Sequence, residues 1–262
     1  MNASVAFGKA AAEGRSVLVG YLPAGYPTVP GAIDAMRAMV DAGVDMVEVG
    51  LPYSDPVMDG PVIQRAVQAA LDAGTRTADV LRTVEAVAAT GVPVLVMTYW
   101  NPVERYGVQR FARDLSAAGG AGLITPDLLP DEAEEWLAAS DAHDLDRVFL
   151  VSPSSTDERL AMTVAHCRGF VYATAVMGVT GQREQTSKVA PQLVARVRAT
   201  GATLPVGVGL GVRDGAQAAE VAGYADAVIV GSALVDALSR GVGDLVAVTA
   251  DLAAGLRGAA RG

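Results

Sequence analysis

The stretch VEVGLPYSDPVMDGP, residues 47–61, carries the two side chains around which the rest of the chain is arranged. An apolar segment that starts at Val44 runs into it and reads as a β-strand with a carboxylate, Glu48, in its middle. A second carboxylate, Asp59, follows eleven positions later, after two prolines and directly before a Gly-Pro pair. The pattern predicts a buried strand, a stiff loop and a helix that starts at Pro61.

Glu48 stands out because its strand is otherwise apolar or small on both faces. Period-two alternation puts Met46, Glu48 and Gly50 on one face and Val or Leu residues on the other. An ionised carboxylate in a dry interior is costly unless it is paired, and strands that keep one often use it for chemistry. The alternative for Glu48 is a structural acid, hydrogen-bonded to a neighbouring strand. For Asp59 the alternative is a plain turn, because Asp-Gly is ordinary turn chemistry.

The composition is typical of proteins that pack helices on parallel strands. The 262 residues are 51% hydrophobic but only 5% aromatic, so Ala, Val and Leu provide most of the buried surface. The net charge of -9 argues against nucleic acid as a partner. One cysteine, Cys167, allows no internal disulfide and indicates a reducing compartment. Neither a signal peptide nor a membrane span is evident, so we expect a cytoplasmic protein that contacts no membrane.

Eight short apolar segments read as β-strands, and amphipathic segments between them read as helices. The predicted strands cover residues 16–22, 45–49, 92–98, 121–124, 147–151, 170–175, 205–208 and 225–230. The predicted helices cover residues 2–13, 29–42, 61–71, 77–89, 108–118, 131–139, 156–167, 191–199, 214–222, 233–238 and 244–256.

Strands that alternate with helices predict a parallel sheet, and eight of them without a linker predict a closed barrel. We therefore expect an α/β fold, a (β/α)8 TIM barrel with extra N-terminal and C-terminal helices, as a single domain over residues 1–262. A doubly wound open sheet is the alternative, but no G-x-G-x-x-G follows the first strand. We expect the longest strand-to-helix connections after strands two, three and six, on the rim where barrel active sites lie.

Two glycine-containing turns on that rim predict a phosphate site. The run GVGLG, residues 207–211, follows strand seven, and Gly231-Ser232 follows strand eight, directly before a helix. Backbone N–H groups at glycines and at a helix N-terminus bind anions. The alternative is that these glycines only make tight turns.

The residues that are absent from the predicted rim narrow the chemistry further. Lys9 and Lys188 are the only lysines, and neither lies at a strand end, so a Schiff base is not expected. The two histidines form no zinc pattern, and Cys167 reads as a small buried hydrophobe. Carboxylate acid–base chemistry on a phosphorylated substrate remains, without metal or cofactor. Tyr99, Tyr172 and Asp127 could assist, or could serve packing and capping.

At this point the chain resembles the tryptophan synthase alpha subunit family, over nearly its whole length. The most specific segment is residues 48–56, EVGLPYSDP, together with Asp59-Gly60-Pro61. Supporting segments are MTYWNP at 97–102, PDL at 126–128, SPSST at 152–156, GVTG at 178–181, and GS at 231–232.

The resemblance implies an eight-fold barrel that cleaves indole-3-glycerol phosphate to indole and glyceraldehyde 3-phosphate. It further implies that indole passes through a tunnel to a beta subunit, which uses pyridoxal phosphate, within an α2β2 complex. The alpha subunit itself is expected to need no cofactor and no metal. Residues 178–185 are expected to form a polar lid over the phosphate.

The family's site residues fall on matching positions of this chain. Glu48 is implied as the acid–base residue and Asp59 as the group that faces the indole nitrogen. The substrate-binding positions fall on Tyr21, Ile63, Met97, Tyr99, Tyr172, Thr180 and Leu210. The phosphate-binding positions fall on Gly181, Gly211, Gly231 and Ser232, and the partner-interface positions fall on Pro52 and Asp55.

The chain departs from the family pattern at two places. Many members have Gly-Asp-Pro where this chain has Gly25-Tyr26-Pro27, and many have Phe where Leu210 stands. Neither change affects the two carboxylates. Two other functions stay open at this point: a stand-alone indole-releasing lyase without a partner, and a phosphate-binding barrel without activity.

Overall fold

The computed structural model describes residues 1–174 and 183–259. Eight parallel strands hydrogen-bond in chain order and the last pairs with the first, so the sheet closes into a barrel. The predicted (β/α)8 fold is therefore confirmed. The strands are β1 Val17–Pro23, β2 Met46–Gly50, β3 Val94–Met97, β4 Gly122–Thr125, β5 Asp146–Val151, β6 Val171–Thr174, β7 Val206–Gly209 and β8 Ala227–Val230.

Helices surround the barrel, and the expected extra helices at both ends of the chain are present. In the described part of the chain they are α1 Ser4–Ala12, α2 Val29–Asp41, α3 Pro61–Asp72, α4 Thr77–Ala88, α5 Trp100–Tyr106, α6 Val108–Ala117, α7 Glu134–Ala142, α8 Asp157–His166, α9 Arg183–Ala199, α10 Gly215–Ala222, α11 Ser232–Arg240 and α12 Val242–Gly258, with a 3-10 turn at Pro130–Glu132. None of these helices is long and apolar enough to cross a membrane.

The expected long connection after strand three is wrong, because α5 begins only three residues after β3 ends. The seven residues WNPVERY show no clear apolar stripe, so the sequence did not predict this helix. Its first amide is satisfied from another loop: the Asp127 carboxylate accepts a hydrogen bond from Trp100 N at 2.9 Å. A cap that comes from a distant part of the chain leaves no local signal.

The polar loop predicted over residues 178–185 is wrong at its end. Residues 178–182 lie outside the described residues, but α9 already begins at Arg183. The sequence predicted a helix over residues 191–199 only. Pro191 instead lies inside the helix.

The barrel interior is filled by side chains and is closed at the amino ends of the strands by α1. Ala3, Ala6, Ala10 and Phe7 of that segment pack against inward-facing residues of the barrel. The Asp146 carboxylate, at the start of β5, accepts a hydrogen bond from Ala3 N at 2.7 Å. The open end of the barrel is therefore the opposite one, where the strands reach their carboxyl ends.

Candidate active site

Glu48 lies inside the barrel, in the middle of β2. All five residues of β2 are buried, and Glu48 is only 1% exposed. Met46 belongs to the interior cluster whereas Val47 and Val49 pack against the helices, so the predicted alternation of faces is correct. Among the described residues, none donates a hydrogen bond to Oε1 of Glu48. No neighbouring strand among the described residues therefore holds this oxygen.

The environment of Glu48 keeps its proton bound at neutral pH. Burial raises the pKa of this carboxyl from 4.5 to about 8. A carboxylic acid that is neutral at pH 7 can donate its proton to a substrate, and can take one back once it has done so.

Two buried tyrosines line the interior close to Glu48. Tyr21 is the register partner of Glu48 on β1, and Tyr172 is on β6. Burial raises the pKa of both phenols, and the charge of Glu48 raises them further. Both hydroxyls therefore remain protonated and can act as hydrogen-bond donors.

Glycines on the adjacent strands make the space that these rings occupy. A Cβ on Gly50 would lie 2.3 Å from the Tyr21 hydroxyl oxygen. A Cβ on Gly209 would lie 2.7 Å from the Tyr172 hydroxyl oxygen. Gly209 is thus required by packing, whereas Gly211 is the residue of the same run that the sequence analysis assigned to the phosphate.

Asp59 is half-buried in the loop between β2 and α3. Burial raises the pKa of its carboxyl, and hydrogen bonding by the Tyr99 hydroxyl opposes that rise. The negative charges of both Asp59 and Glu48 raise the pKa of Tyr21. Both carboxylates therefore lie near one phenol, although eleven positions separate them in the sequence.

Tyr99 and Asp127 are the two rim residues for which the sequence left packing and capping open. The Tyr99 hydroxyl accepts hydrogen bonds from Val57 N at 3.0 Å and from Met58 N at 2.9 Å. Asp127 caps α5 through Trp100 N. Capping is therefore the role that the contacts of Asp127 support, whereas Tyr99 contacts the loop that carries Asp59.

Tyr53 and Asn101 are part of the same rim, and the sequence reading did not select them. The rings of Tyr53 and Tyr99 lie 5.4 Å apart between centroids, and Asn101 Nδ2 donates to the Tyr53 hydroxyl at 3.0 Å. Both residues stand inside the segments used for the family resemblance, beside Pro52 and Trp100. A polar aromatic residue in a rim loop is the signal that could have found Tyr53.

The proposed phosphate seat lies at the carboxyl ends of β7 and β8. Gly211 has a φ of +80° and open space around it. Gly231 precedes α11, and Ser232 is the first residue of that helix, where backbone N–H groups have no partner within the helix. A Cβ on Gly231 would lie 3.4 Å from Tyr21 Cδ1, so the seat borders the buried tyrosine.

The remaining expected substrate, phosphate and interface positions divide into three groups. Ile63, Met97 and Leu210 are half-buried and pack against the core. Thr180 and Gly181 lie outside the described residues. Of the two expected interface residues, Pro52 is buried and Asp55 is exposed.

The described residues contain no group of three His, Cys, Asp or Glu side chains that could hold a metal ion. Burial raises the pKa of the Cys167 thiol to about 12, so this thiol is not a nucleophile at neutral pH. The fold and site define a class: a (β/α)8 barrel with a buried acid, a second carboxylate and a glycine-built anion seat at one rim.

Comparison with known proteins names the family. A family model described as "Tryptophan synthase alpha chain" matches residues 7–258. A tryptophan synthase alpha chain of Salinispora arenicola is 69% identical over 97% of this chain and 97% of its own length. The solved tryptophan synthase of Mycobacterium tuberculosis superposes with a TM-score of 0.93 at 61% identity, covering 97% of this chain and 98% of that chain. The chain belongs to the tryptophan synthase alpha chain family, as its sequence motifs indicated.

A more distant structure in the same family gives the same fold. The tryptophan synthase subunit alpha of Legionella pneumophila superposes with a TM-score of 0.86 at 32% identity, and 98% of each chain is covered. The barrel therefore persists while two thirds of the side chains differ.

Proposed function

We propose that this chain catalyses the alpha reaction of tryptophan synthase, with Glu48 and Asp59 as its acid–base pair. The reaction cleaves indole-3-glycerol phosphate to indole and glyceraldehyde 3-phosphate. The observation that carries the proposal is Glu48: a carboxyl buried inside the barrel, with a pKa of about 8 and no hydrogen-bond donor among the described residues at Oε1. Asp59 lies near the same tyrosine, Tyr21.

Substrate binding uses the two ends of the pocket. The phosphate rests on backbone N–H groups at Gly211, Gly231 and Ser232, and the family resemblance adds Gly181. The indole ring packs between apolar and aromatic side chains, with its N–H directed at Asp59. These side chains are Tyr21, Ile63, Met97, Tyr99, Tyr172 and Leu210, and the family resemblance adds Thr180. This placement leaves the bond between indole C3 and the glycerol chain close to Glu48.

Cleavage begins when neutral Glu48 gives its proton to C3 of the indole. The ring becomes an indolenine, and positive charge develops on its nitrogen, where the Asp59 carboxylate stabilises it through the N–H. Glu48 can protonate C3 because burial keeps it neutral, while half-buried Asp59 faces solvent on one side and ionises first. For one carboxyl to be neutral and the other ionised at the same pH, the two must lie in different environments.

Bond breaking follows when the Glu48 carboxylate removes the proton from the hydroxyl on the carbon attached to C3. The O–H electron pair forms the aldehyde carbonyl of glyceraldehyde 3-phosphate, and the C3–carbon bond pair returns to the ring and neutralises the nitrogen. Glu48 has then given one proton and taken one. Glu48 only transfers protons, and the carbon–carbon bond breaks by a shift of electron pairs within the substrate, so we infer that the chain itself needs neither metal nor cofactor.

The rim loop between the two acids is the proposed surface for a beta subunit. Asp55 is exposed, and the neighbouring Val57 and Met58 are 85% and 55% exposed, which is unusual for apolar side chains in an isolated chain. Pro52, which is buried in the same loop, restricts the backbone conformation of the loop. We infer a beta partner that carries pyridoxal phosphate, an α2β2 complex, one barrel domain over residues 1–262 and a cytoplasmic location.

Indole release from indole-3-glycerol phosphate by the purified chain, with and without beta subunit, tests this function. We expect slow release by the chain alone and a several-fold faster release with the partner. Release at the same rate in both cases would favour a stand-alone lyase. No release in either case, with phosphate binding kept, would leave only a binding protein.

A further inference from the structure

The hydroxyl of Tyr21 is a buried hydrogen-bond donor without a protein partner. Tyr21 is 7% exposed, and burial raises the pKa of its phenol well above the usual value, so the proton stays on the oxygen. No residue in the described parts of the chain forms a hydrogen bond with this hydroxyl. A buried donor that stays unpaired costs free energy, and a ligand that accepts from it removes that cost.

The oxygen of this hydroxyl faces the pocket. Among the described residues, the fully enclosed side-chain atoms that lack a partner are Glu48 Oε1, Thr125 Oγ1 and Trp136 Nε1. The Tyr21 oxygen also lacks a partner but is not one of these atoms, so part of its surface is accessible. It lies over Gly50, where an added Cβ would come within 2.3 Å of it. Gly50 follows Glu48 on the inward face of β2, roughly 7 Å closer to the open end of the barrel.

The side chain of Tyr21 extends from the phosphate seat to the strand that carries Glu48. Its Cδ1 atom would lie 3.4 Å from a Cβ on Gly231, whereas its hydroxyl lies over Gly50. In the proposed binding mode the glycerol chain spans the same interval, because it joins the phosphate to indole C3 beside Glu48. The hydrogen-bond acceptors that the substrate offers there are its two glycerol hydroxyl oxygens, since the indole nitrogen is a donor.

We propose that Tyr21 is a catalytic residue, whose hydroxyl donates a hydrogen bond to the glycerol oxygen from which Glu48 removes the proton. The inference rests on the proposed function, because it adds a contact to that same site. The glycerol oxygen gains negative charge as its proton leaves, and it becomes the aldehyde oxygen of the product. A donor that is already fixed in place stabilises this charge without reorientation. Tyr21 keeps its own proton, so Glu48 remains the group that transfers protons.

Tyr172 is the other buried phenol, but its hydroxyl lies over a different strand. A Cβ on Gly209 of β7 would lie 2.7 Å from the Tyr172 oxygen, whereas the Tyr21 oxygen lies over β2. Tyr21 is also the register partner of Glu48. Tyr21 is therefore the phenol beside the proposed proton transfer.

Tyr21→Phe tests the contact, because it keeps the ring and removes only the oxygen. We expect kcat/KM for indole release to fall about 10- to 100-fold, as for the loss of a hydrogen bond to a charged group, with most of the loss in kcat. The alkaline limb of the pH profile should stay at about pH 8, because burial sets the pKa of Glu48. Thermal unfolding should be unchanged, since no described residue loses a partner. Tyr106→Phe is the matched control, since it removes a hydroxyl that donates to Asp114 at 2.8 Å between α5 and α6.

Ligand binding in the Glu48→Gln background provides a second measurement that needs no turnover. The two ligands are indole-3-glycerol phosphate and 3-(indol-3-yl)propyl phosphate, which has the same ring and phosphate but no hydroxyl. Addition of Tyr21→Phe should weaken binding of the first about two- to tenfold, the scale for a neutral hydrogen bond. Binding of the second should not change.

Equal weakening of both ligands, or of neither, would overturn the proposal. So would an unchanged kcat/KM in Tyr21→Phe. A shifted alkaline limb would also contradict it, because Tyr21 would then act through Glu48 and not on the substrate. Failure of the proposed function is distinguishable: the wild-type chain would release no indole, while the comparison of the two ligands would still test Tyr21. Absence of binding by both ligands would overturn both proposals.

Discussion

Tyr21 and Glu48 are register partners on adjacent strands, and both side chains are buried inside the barrel. Burial at this position has an electrostatic consequence for each group. Burial raises the pKa of both, so the ordinary state at neutral pH is a phenol beside a carboxylic acid rather than a pair of charges. Burial therefore keeps the Glu48 carboxyl protonated at neutral pH, whereas a carboxyl in water would be ionised.

Because the pKa of Glu48 is raised in the folded chain, the free energy of unfolding should fall as the pH rises. Glu48 keeps its proton up to about pH 8 when folded, but its ordinary value is 4.5. Between these values the folded state binds more protons than the unfolded one, so stability falls with pH, by at most about 1.4 kcal/mol per pH unit. Glu48→Gln cannot ionise and should lose this slope. Urea unfolding at pH 6 and pH 8 measures it. Parallel pH dependence in both proteins would contradict a raised pKa.

The rate of indole release should fall at alkaline pH because Glu48 loses its proton there. Glu48 must carry its proton in order to protonate C3, so kcat/KM should decline as the pH rises through about 8. On the acidic side the rate should decline as Asp59 is protonated. A profile of kcat/KM from pH 5 to pH 10 checks both limbs. A rate that keeps rising above pH 9 would argue that Glu48 acts only as a base.

Gly50→Ala should disable the site through Tyr21. The added Cβ would lie 2.3 Å from the Tyr21 hydroxyl oxygen, so the ring must move. We expect a loss of about 1–3 kcal/mol in stability, as for overpacked cores, and at least a tenfold loss in kcat. Gly243→Ala is the control, because a Cβ there meets no atom within 4 Å. Equal activity of the two variants would show that the Tyr21 position is not critical.

Gly211→Ala should weaken phosphate binding. Gly211 has a φ of +80°, and so has Gly201 in the loop before β7, at the opposite end of the barrel. Alanine in this region costs about 1–2 kcal/mol at either position, which makes Gly201→Ala a control for strain. We expect both variants to lose similar stability in thermal unfolding. Only Gly211→Ala should raise KM and weaken competition by inorganic phosphate; equal KM values would remove Gly211 from the seat.

The sequence predicted the elements whose signal is local. Alternating apolar residues around Glu48 marked β2 as buried on both faces, and the structure has all five of its residues buried. The glycines after β7 and β8 were correctly placed on the rim. The helix α5 was missed because its cap, Asp127, comes from a different loop.

The contacts of Tyr99 could not be predicted from the sequence, for a different reason. Its partners Val57 and Met58 precede it by about forty positions, and their own side chains face solvent. Backbone amides carry no sequence signature, so no pattern could reveal that one hydroxyl accepts two of them. The family resemblance supplied the roles of residues, but only the fold supplied their contacts.

The turnover of Glu48→Gln on indole-3-glycerol phosphate tests the central claim most directly. Glutamine keeps the shape of the side chain and has no acidic proton to give to C3. We predict that kcat falls at least about 100-fold, the usual scale for a lost general acid, while KM stays close to that of the wild-type chain. Near wild-type kcat would contradict the assignment of Glu48 as the acid.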